Sequence, residues 1–276
     1  MSSAEQVTPS EYISHHLGHL TNHGHHAQTS LWDMSYVNID TVIWSVVCGV
    51  LGSLIMFLAA RKATSGVPGR FQCAVEMLIE MVDNNAKSIV HGNTSFIAPM
   101  ALSVFVWVLL MNSLDFLPVD LFSQWLFPLF GLDHEMPHRV VPTADLNGTL
   151  GISIGIFGLM MYYSFKIKGV GGFIKELFSA PFGPMMFPFN FMLNVVEYAA
   201  KTFSLGMRLF GNMFAGELLF LLIAALLGAS GSLFGGIGHL VLGSAWSIFH
   251  ILIVPLQAFI FMMLTLVYMG QAHEAH

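Results

Sequence analysis

Residues 218–273 carry no Asp, Glu, Lys or Arg, and their sequence is LLFLLIAALLGASGSLFGGIGHLVLGSAWSIFHILIVPLQAFIFMMLTLVYMGQAH. A run rich in small residues, from Leu227 to Gly238, interrupts this apolar stretch and indicates the end of one helix and the start of another. The uncharged residues after that run alone exceed the roughly 20 residues that a helix needs to cross a hydrocarbon core. The stretch therefore predicts membrane helices rather than the interior of a soluble domain.

The composition of the whole chain agrees with a membrane protein. Of its 276 residues, 55% are hydrophobic and only 9% are charged, whereas about 25% are charged in a typical soluble domain. Cys48 and Cys73, the two cysteines, fit neither a disulfide framework nor a zinc ribbon. The net charge of −6 excludes a basic face for nucleic acid. We therefore expect an integral protein of the lipid bilayer, with no nucleic-acid partner and no cofactor or metal ion.

Three further apolar stretches, 41–60, 96–114 and 146–165, contain no charged residue. The predicted fold is an all-α polytopic membrane protein with five helices, near 41–60, 96–116, 146–166, 189–228 and 239–270. These helices form one membrane domain, 41–276, which follows a His-rich N-terminal segment, 1–40. The last two helices are longer than the bilayer is thick, so we expect them to tilt steeply or to kink.

Lys and Arg predict the orientation of the chain. Segment 61–95 carries four of these residues and segment 166–176 carries three, whereas segment 1–40 carries none. The positive-inside rule places the two basic segments in the cytoplasm. The N-terminus is then expected on the periplasmic side and the C-terminus in the cytoplasm.

Polar residues form a narrow stripe on each of the last two predicted helices. At 100° per residue, the fourth helix aligns Asn190, Asn194, Glu197, Lys201, Ser204, Arg208 and Asn212, and the fifth aligns His239, Trp246, His250, Gln257 and Tyr268. Glu217 lies on the opposite face of the fourth helix. For Asn190, Ser204, Trp246 and Tyr268 we favour hydrogen bonding between packed helices or anchoring at the interface, and Lys201 can snorkel to the interface.

Arg208 has no acid within reach along its stripe. Its sequence neighbours are apolar, and the nearest acid on its stripe, Glu197, is three turns away. A charge at mid-membrane costs about 2.5–3.5 kcal/mol on insertion scales. We therefore interpret Arg208 as functional and expect its counter-charge from another chain.

Three acids, Asp115, Asp120 and Asp145, fall at the predicted outer edge of the membrane. Two interpretations stay open, because an acid at this position can be a solvated carboxylate or can help to attract cations. The nearby sequence His134-Glu-Met-Pro-His138 matches the zinc-protease pattern, but Pro137 argues against the helix which that chemistry requires. The six histidines between His15 and His26 are interpreted as carrying incidental metal affinity only.

Several blocks of sequence resemble subunit a of the bacterial F-type ATP synthases. The most specific is Leu205-Gly-Met-Arg-Leu-Phe-Gly-Asn-Met-Phe-Ala-Gly-Glu-Leu218. The others are Tyr12-Ile-Ser-His-His16, Lys62-Ala-Thr-Ser-Gly-Val-Pro-Gly69, Val106-Trp-Val-Leu-Leu-Met-Asn112, Arg139-Val-Val-Pro142 and Phe249-His-Ile-Leu-Ile-Val-Pro-Leu-Gln-Ala-Phe259. Together these blocks span nearly the whole chain.

The resemblance implies a proton-translocating stator that is not an enzyme on its own. Such a subunit faces the c-subunit ring, contacts the b-subunit peripheral stalk, works with the F1 sector in the assembled complex and resides in the bacterial inner membrane. Protons enter through an outward half-channel, ride the ring and leave through an inward half-channel. The alternative is a secondary ion-coupled transporter that acts alone, which would favour two matching halves with broken helices.

The resemblance also assigns residues to the proton path. The essential arginine of the family falls on Arg208, which keeps the two half-channels apart, with Asn212 and Gln257 close to it. Glu217 and His250 fall on the outward half-channel and are expected to relay protons together, and Asp115, Asp120 and Asp145 fall near that route. On the inward side, close relatives place a glutamate where this chain has Asn194, and Glu197, one turn later, is the expected substitute. Ser204 completes the set of candidate residues.

Overall fold

The computed structural model describes residues 18–22, 37–90, 92, 94–117, 139–180, 182–228 and 233–273. Within these ranges the regular structure is helical, and the only extended pairing is an isolated antiparallel bridge between Thr21 and Asn38. The predicted all-α fold is confirmed. The His134–His138 motif and Asp120 lie outside the described residues.

Six helices build the described part of the chain. They are α1 (Ile39–Arg61), α2 (Arg70–Ile89), α3 (Ile97–Ser113), α4 (Leu146–Ser179), α5 (Phe187–Ile223) and α6 (Leu233–His273). Short 3₁₀ turns follow α3 (Leu114–Phe116) and precede α4 (Pro142–Ala144) and α5 (Pro184–Met186), and a π-helical turn, Ala224–Gly228, extends α5. All of the six except α2 are long and apolar enough to cross a membrane, which confirms the prediction of five such helices.

Helix α2 was not predicted from the sequence, since it falls in a segment that was assigned as a loop from its charges. Its apolar residues share one face, where Val82 and Ala86 are buried. The end of α2 packs against α6, because a Cβ atom added to Gly270 would lie 3.1 Å from the carbonyl oxygen of Ile89. A search for uncharged stretches cannot find an amphipathic helix of this kind.

Helix α4 extends to Ser179, well beyond the predicted end near 166. Its backbone is broken at Gly169, where φ is +70° and ψ is 161°. Only glycine adopts such a left-handed φ at little cost. Lys168 and Lys175, which we expected in a loop, therefore lie on helical backbone on either side of a glycine break.

The chain divides into two compact units. The first comprises residues 1–48, 109–148 and 210–256, and the second comprises residues 49–108, 149–209 and 257–276. Val141, Ala144, Met213 and Val254 form a buried apolar cluster in the first unit.

In the second unit α4 and α5 approach closely at Gly206, where an added Cβ would lie 2.9 Å from Cδ2 of Leu150. The hydroxyl of Ser153 also donates to the carbonyl oxygen of Thr202 at 2.5 Å. By contrast, many large apolar side chains of the spanning helices are exposed, including Val50, Leu240 and Leu252. An apolar exterior of this kind suits a bilayer.

Candidate functional site

In the first unit, Arg139 and Glu217 form a buried ion pair. The Nε and Nη2 atoms of Arg139 donate to Oε2 of Glu217 at 3.1 and 2.5 Å. Both side chains are almost fully buried, and the guanidinium carbon lies 5.3 Å from the ring centre of Phe214. Arg139 lies just before the turn that leads into α4, whereas Glu217 and Phe214 lie on α5. Arg139 thus supplies the counter-charge that the buried carboxylate of Glu217 requires.

The other donors of Arg139 connect this pair to two more titratable side chains. Its Nη1 atom lies 3.3 Å from Nε2 of His19, and its backbone N–H donates to Oδ2 of Asp40 at 3.1 Å. Asp40 is fully buried in the first turn of α1, and its two oxygens also accept the backbone N–H groups of Leu20 and Thr41. We refer to His19, Asp40, Arg139 and Glu217 as the Arg139 cluster.

A second pair in this unit joins Asp115 to His250. Nε2 of His250 contacts Oδ2 of Asp115, which lies in the turn after α3. The imidazole is fully buried, with Phe220 and Trp246 packed against it. Its Nδ1 atom has no hydrogen-bond partner among the described residues. One nitrogen of a buried imidazole is thus held by a carboxylate and the other is left for a further partner.

The position of the His250 ring depends on a glycine. A Cβ atom added to Gly216 on α5 would lie 2.4 Å from Cε1 of His250. No real Cβ contact is that short, so the ring occupies the space that any other residue at 216 would fill. The indole N–H of Trp246 donates to the carbonyl oxygen of Gly216 at 3.3 Å and ties α6 to α5 at this level.

Asp145 is fixed by hydrogen bonds at the start of α4. Its carboxylate accepts the side-chain amide of Asn38 at 2.9 Å, the hydroxyl of Thr41 at 2.8 Å and the backbone N–H of Asn147 at 3.0 Å. The last of these bonds satisfies a free N–H in the first turn of α4. Since Asp145 and Asp115 are both buried, the interpretation of them as solvated carboxylates is wrong.

In the second unit, Arg208 is exposed. It forms no hydrogen bond or ion pair with any residue in the part of the chain that the structure describes. Ser204, one turn earlier on α5, is also exposed, and Gln257 on α6 is buried. Within the described residues, therefore, no acid neutralises Arg208.

A polar cavity of about 260 Å³ also lies in the second unit. Its charged lining consists of two ion pairs, with Lys168 bound to Glu176 at 2.8 Å and Lys201 bound to Glu197 at 2.6 Å. Nζ of Lys201 also donates to the side-chain oxygen of Gln271 at 2.8 Å. We refer to this space as the Lys201 cavity.

Asn194 lines the Lys201 cavity and binds the end of α4. Its amide donates to the carbonyl oxygens of Leu177 and Ala180, at 2.9 and 3.0 Å. Asn190 binds the carbonyl oxygens of Phe178 and Gly183 in the same way, which confirms the interpretation of Asn190 as a link between segments. Through Leu177 and Phe178, these asparagines satisfy carbonyl groups that the end of α4 leaves free.

Most of the predicted site residues fall into two groups. Asp115, Asp145, Asn212, Glu217 and His250 belong to the first unit, and Asn194, Glu197, Ser204, Arg208 and Gln257 belong to the second. The expected relay between Glu217 and His250 is not a direct contact, because Glu217 binds Arg139 and His250 binds Asp115.

His19, Asp40 and Arg139 were not predicted as site residues. Arg139 was noted only as the start of a block that resembles the family, and His19 was counted among six histidines with incidental metal affinity. One signal was available in the sequence. An acid within an apolar helix needs a cation, and Arg139 is the only Lys or Arg between 117 and 145.

Comparisons with known proteins agree with the resemblance. The sequence model of a family described as "ATP synthase A chain" matches residues 42–270. The chain is 55% identical to "ATP synthase subunit a" of Acidovorax sp. (strain JS42) and 53% identical to that of Paracidovorax citrulli (strain AAC00-1), in each case over 100% of this chain and 99% of the relative. It is 47% identical to the same-named protein of Colwellia psychrerythraea (strain 34H / ATCC BAA-681), over the full length of both.

Proposed function

Since this chain belongs to the ATP synthase subunit a family, and is therefore the proton-translocating, non-catalytic subunit of the membrane sector, we propose which of its residues carry the proton. The outward half-channel is built from the first unit and the inward half-channel from the second. Arg208 acts between proton entry and proton release. The partners are the c-subunit ring at Arg208 and the b-subunit stalk elsewhere on the chain.

In the outward half-channel, protons pass Asp115, Glu217 and His250, with Asn212, Asp145 and Asp120 near the route. The contacts of the first unit support this assignment, since they gather the titratable groups of several elements into a largely apolar surrounding. Ionisable groups at such depth are costly and mark ion pathways in membrane proteins. The unpartnered Nδ1 of His250 is free to bind a proton or a water molecule.

In the inward half-channel, protons leave through the Lys201 cavity. Its volume of about 260 Å³ is ample for several water molecules, and its lining supplies donors and acceptors for them. Glu197 is exposed, so it can exchange protons with water. Asn194 cannot titrate, and we assign to it the task of holding the end of α4 beside the exit.

Arg208 controls the charge of the ring carboxylate. A guanidinium keeps its proton at all accessible pH values, so Arg208 cannot pass a proton along. It stabilises the ionised form of a carboxylate that comes beside it, which makes a protonated ring carboxylate release its proton before it passes. Ser204, exposed one turn earlier on α5, supports this contact through a hydrogen bond to the same ring carboxylate, and we assign Gln257 to the same part of the proton path. The membrane potential supplies about 2.3 kcal/mol per proton per 100 mV.

The proposal includes the orientation of the chain in the membrane. The N-terminus lies in the periplasm and the C-terminus in the cytoplasm of a bacterium whose inner membrane holds the complex. The distribution of Lys and Arg supports this choice, because segments 61–95 and 166–176 hold seven of the ten basic residues.

The observation that carries the proposal is the exposed Arg208, which has no anionic partner in the described part of its own chain. The test is ATP-driven proton pumping in membrane vesicles that hold the assembled complex, comparing wild type with Arg208→Ala. We expect pumping to be lost while the complex still assembles, and removal of the soluble ATPase sector to leave a passive proton path.

Arg61→Ala is the matched control, since Arg61 is also an exposed arginine of the second unit but lies in the last turn of α1. It should pump at the wild-type rate. Wild-type pumping by Arg208→Ala would mean that Arg208 only packs or anchors the helix, and the mechanism would have to be withdrawn.

A further inference from the structure

His19 stands apart from the other members of the Arg139 cluster because water can reach it. Its side chain is 21% exposed, whereas those of Asp40, Arg139 and Glu217 are between 0 and 9% exposed. Histidine is also the side chain that ordinarily changes charge between about pH 5 and 8. A proton that approaches this cluster from water therefore meets His19 before it meets the buried carboxylates.

The contacts of His19 favour one form of its ring. The Nη1 atom of Arg139 can only donate a hydrogen bond, so the Nε2 atom of His19, 3.3 Å away, must be the acceptor. The ring is then neutral, with its proton on Nδ1. That atom lies 3.4 Å from Oδ2 of Asp40, a distance that is long for a hydrogen bond.

A proton added to Nε2 changes which partner the ring of His19 favours, Arg139 or Asp40. Nε2 then becomes a donor and can no longer accept from Arg139, while the positive ring is attracted to Asp40. Three charged groups among the described residues face His19. Asp40 on α1 and Arg139 before α4 contact its ring directly. Glu217 on α5 interacts with it electrostatically. Protonation thus breaks the hydrogen bond from Arg139 and leaves Nε2 with a proton that needs a new acceptor.

We propose that His19 is the group that receives protons at the outer end of the Arg139 cluster and delivers them to Glu217. The proton binds Nε2 of the neutral ring and moves to the carboxylate of Glu217. Oε1 of Glu217 is the oxygen that receives it, since both hydrogen bonds from Arg139 end on Oε2. His19 returns to its neutral form and accepts again from Arg139. This inference rests on the proposed function, because it extends the outward half-channel by one residue.

The test compares His19→Gln with wild type in vesicles that synthesise ATP at a fixed driving force, while the pH of the compartment that supplies protons is varied. A glutamine keeps a donor for Asp40 and an acceptor for Arg139 but cannot titrate. We expect the complex to assemble and the synthesis rate to fall several-fold at high pH. The defect should shrink as the pH falls, because abundant protons then reach Glu217 without the relay. Imidazole added to the supplying side should restore part of the rate at high pH.

His239→Gln is the control, since His239 is an exposed histidine of the same unit that contacts only the carbonyl oxygen of Ile223 in the described part of the chain. It should follow the wild-type pH profile.

Two outcomes would overturn the inference. One is equal rates for His19→Gln and wild type at every pH. The other is a defect of the same size at every pH, which is the signature of a packing role. Neither result would alter the effect of Arg208→Ala on pumping in the same vesicles, so failure of this inference is distinguishable from failure of the proposed function.

Discussion

Both hydrogen bonds between Arg139 and Glu217 end on one carboxylate oxygen, Oε2, which Nε approaches at 3.1 Å and Nη2 at 2.5 Å. This geometry leaves Oε1 of Glu217 without a contact from Arg139. A symmetrical two-oxygen pair would hold the carboxylate more firmly in its ionised form. The one-sided pair instead neutralises a buried charge and still leaves a site where a proton can bind.

Removing either partner of this pair should impair assembly. Arg139→Ala leaves the charge of Glu217 buried and unpaired, and loss of one partner of a buried pair costs about 3–5 kcal/mol. We expect much less of the subunit in purified membranes and a corresponding loss of pumping. The double variant Arg139→Gln with Glu217→Gln removes both charges of the pair and should restore the amount of subunit but not the pumping.

Immunoblots and pumping assays on the same membranes separate these two effects. A normal amount of subunit in Arg139→Ala would show that Glu217 finds another partner, or is protonated at little cost. Normal pumping by the double variant would remove Glu217 from the proton path.

The ring of His250 offers a steric test. Gly216→Ala puts a methyl group 2.4 Å from Cε1 of His250, so the ring must move away from Asp115. We expect pumping to fall at least tenfold, because the contact between the two titratable groups is broken. Gly158→Ala on α4 is the control, since a Cβ there meets nothing within 4 Å and alanine favours a helix by up to about 1 kcal/mol. If Gly216→Ala pumps as well as Gly158→Ala, the position of the His250 ring does not matter for proton transfer.

Much of the fold follows from the sequence, because uncharged stretches long enough to cross a bilayer are visible in the composition alone. What could not be predicted depends on backbone conformation and on contacts over long sequence separations. The break at Gly169 requires a positive φ that no spacing of apolar residues reveals. Gly151 and Gly155 are spaced one turn apart on α4, yet neither has an atom within 4 Å of its added Cβ, and the close approach of α4 to α5 occurs at Gly206.

The candidate site was predictable in its residue types but not in its pairs. Buried acids and histidines of a membrane helix are conspicuous one by one, which is why Glu217 and His250 were found. Their partners lie far away in sequence, Arg139 by 78 residues from Glu217 and Asp115 by 135 residues from His250. Only the folded chain shows that Glu217 and His250 contact different partners rather than each other.

Glu197, in the lining of the Lys201 cavity, can be tested for a role in proton transfer without a loss of stability. Glu197 is more than half exposed and its ion pair with Lys201 joins residues one turn apart, so such a pair contributes no more than about 0–1 kcal/mol. Glu197→Gln should therefore leave assembly unchanged. It should lower passive proton flow several-fold in vesicles stripped of the soluble ATPase sector, because a titrating group is lost from the exit.

Glu76→Gln is the matched control, since Glu76 is also a glutamate of the second unit, but lies on α2 and accepts a hydrogen bond from Gln72. It should conduct protons like wild type. Normal proton flow in Glu197→Gln would show that the exit works without an acid at 197.

Substitutions of Asn194 test whether a glutamate can occupy this position without other changes. The amide of Asn194 donates two hydrogen bonds to the carbonyl oxygens of Leu177 and Ala180, and an ionised carboxylate has no donor to offer them. Asn194→Glu places a negative charge against the end of α4, whose free carbonyl groups carry the negative end of the helix dipole. We therefore expect Asn194→Glu to reduce the amount of assembled subunit more than Asn194→Ala, which only removes the two bonds. Quantifying the subunit in membranes for both variants decides the point. If Asn194→Glu assembled and pumped as well as wild type, the end of α4 would not depend on this amide, and an acid at 194 would be compatible with the cavity as built.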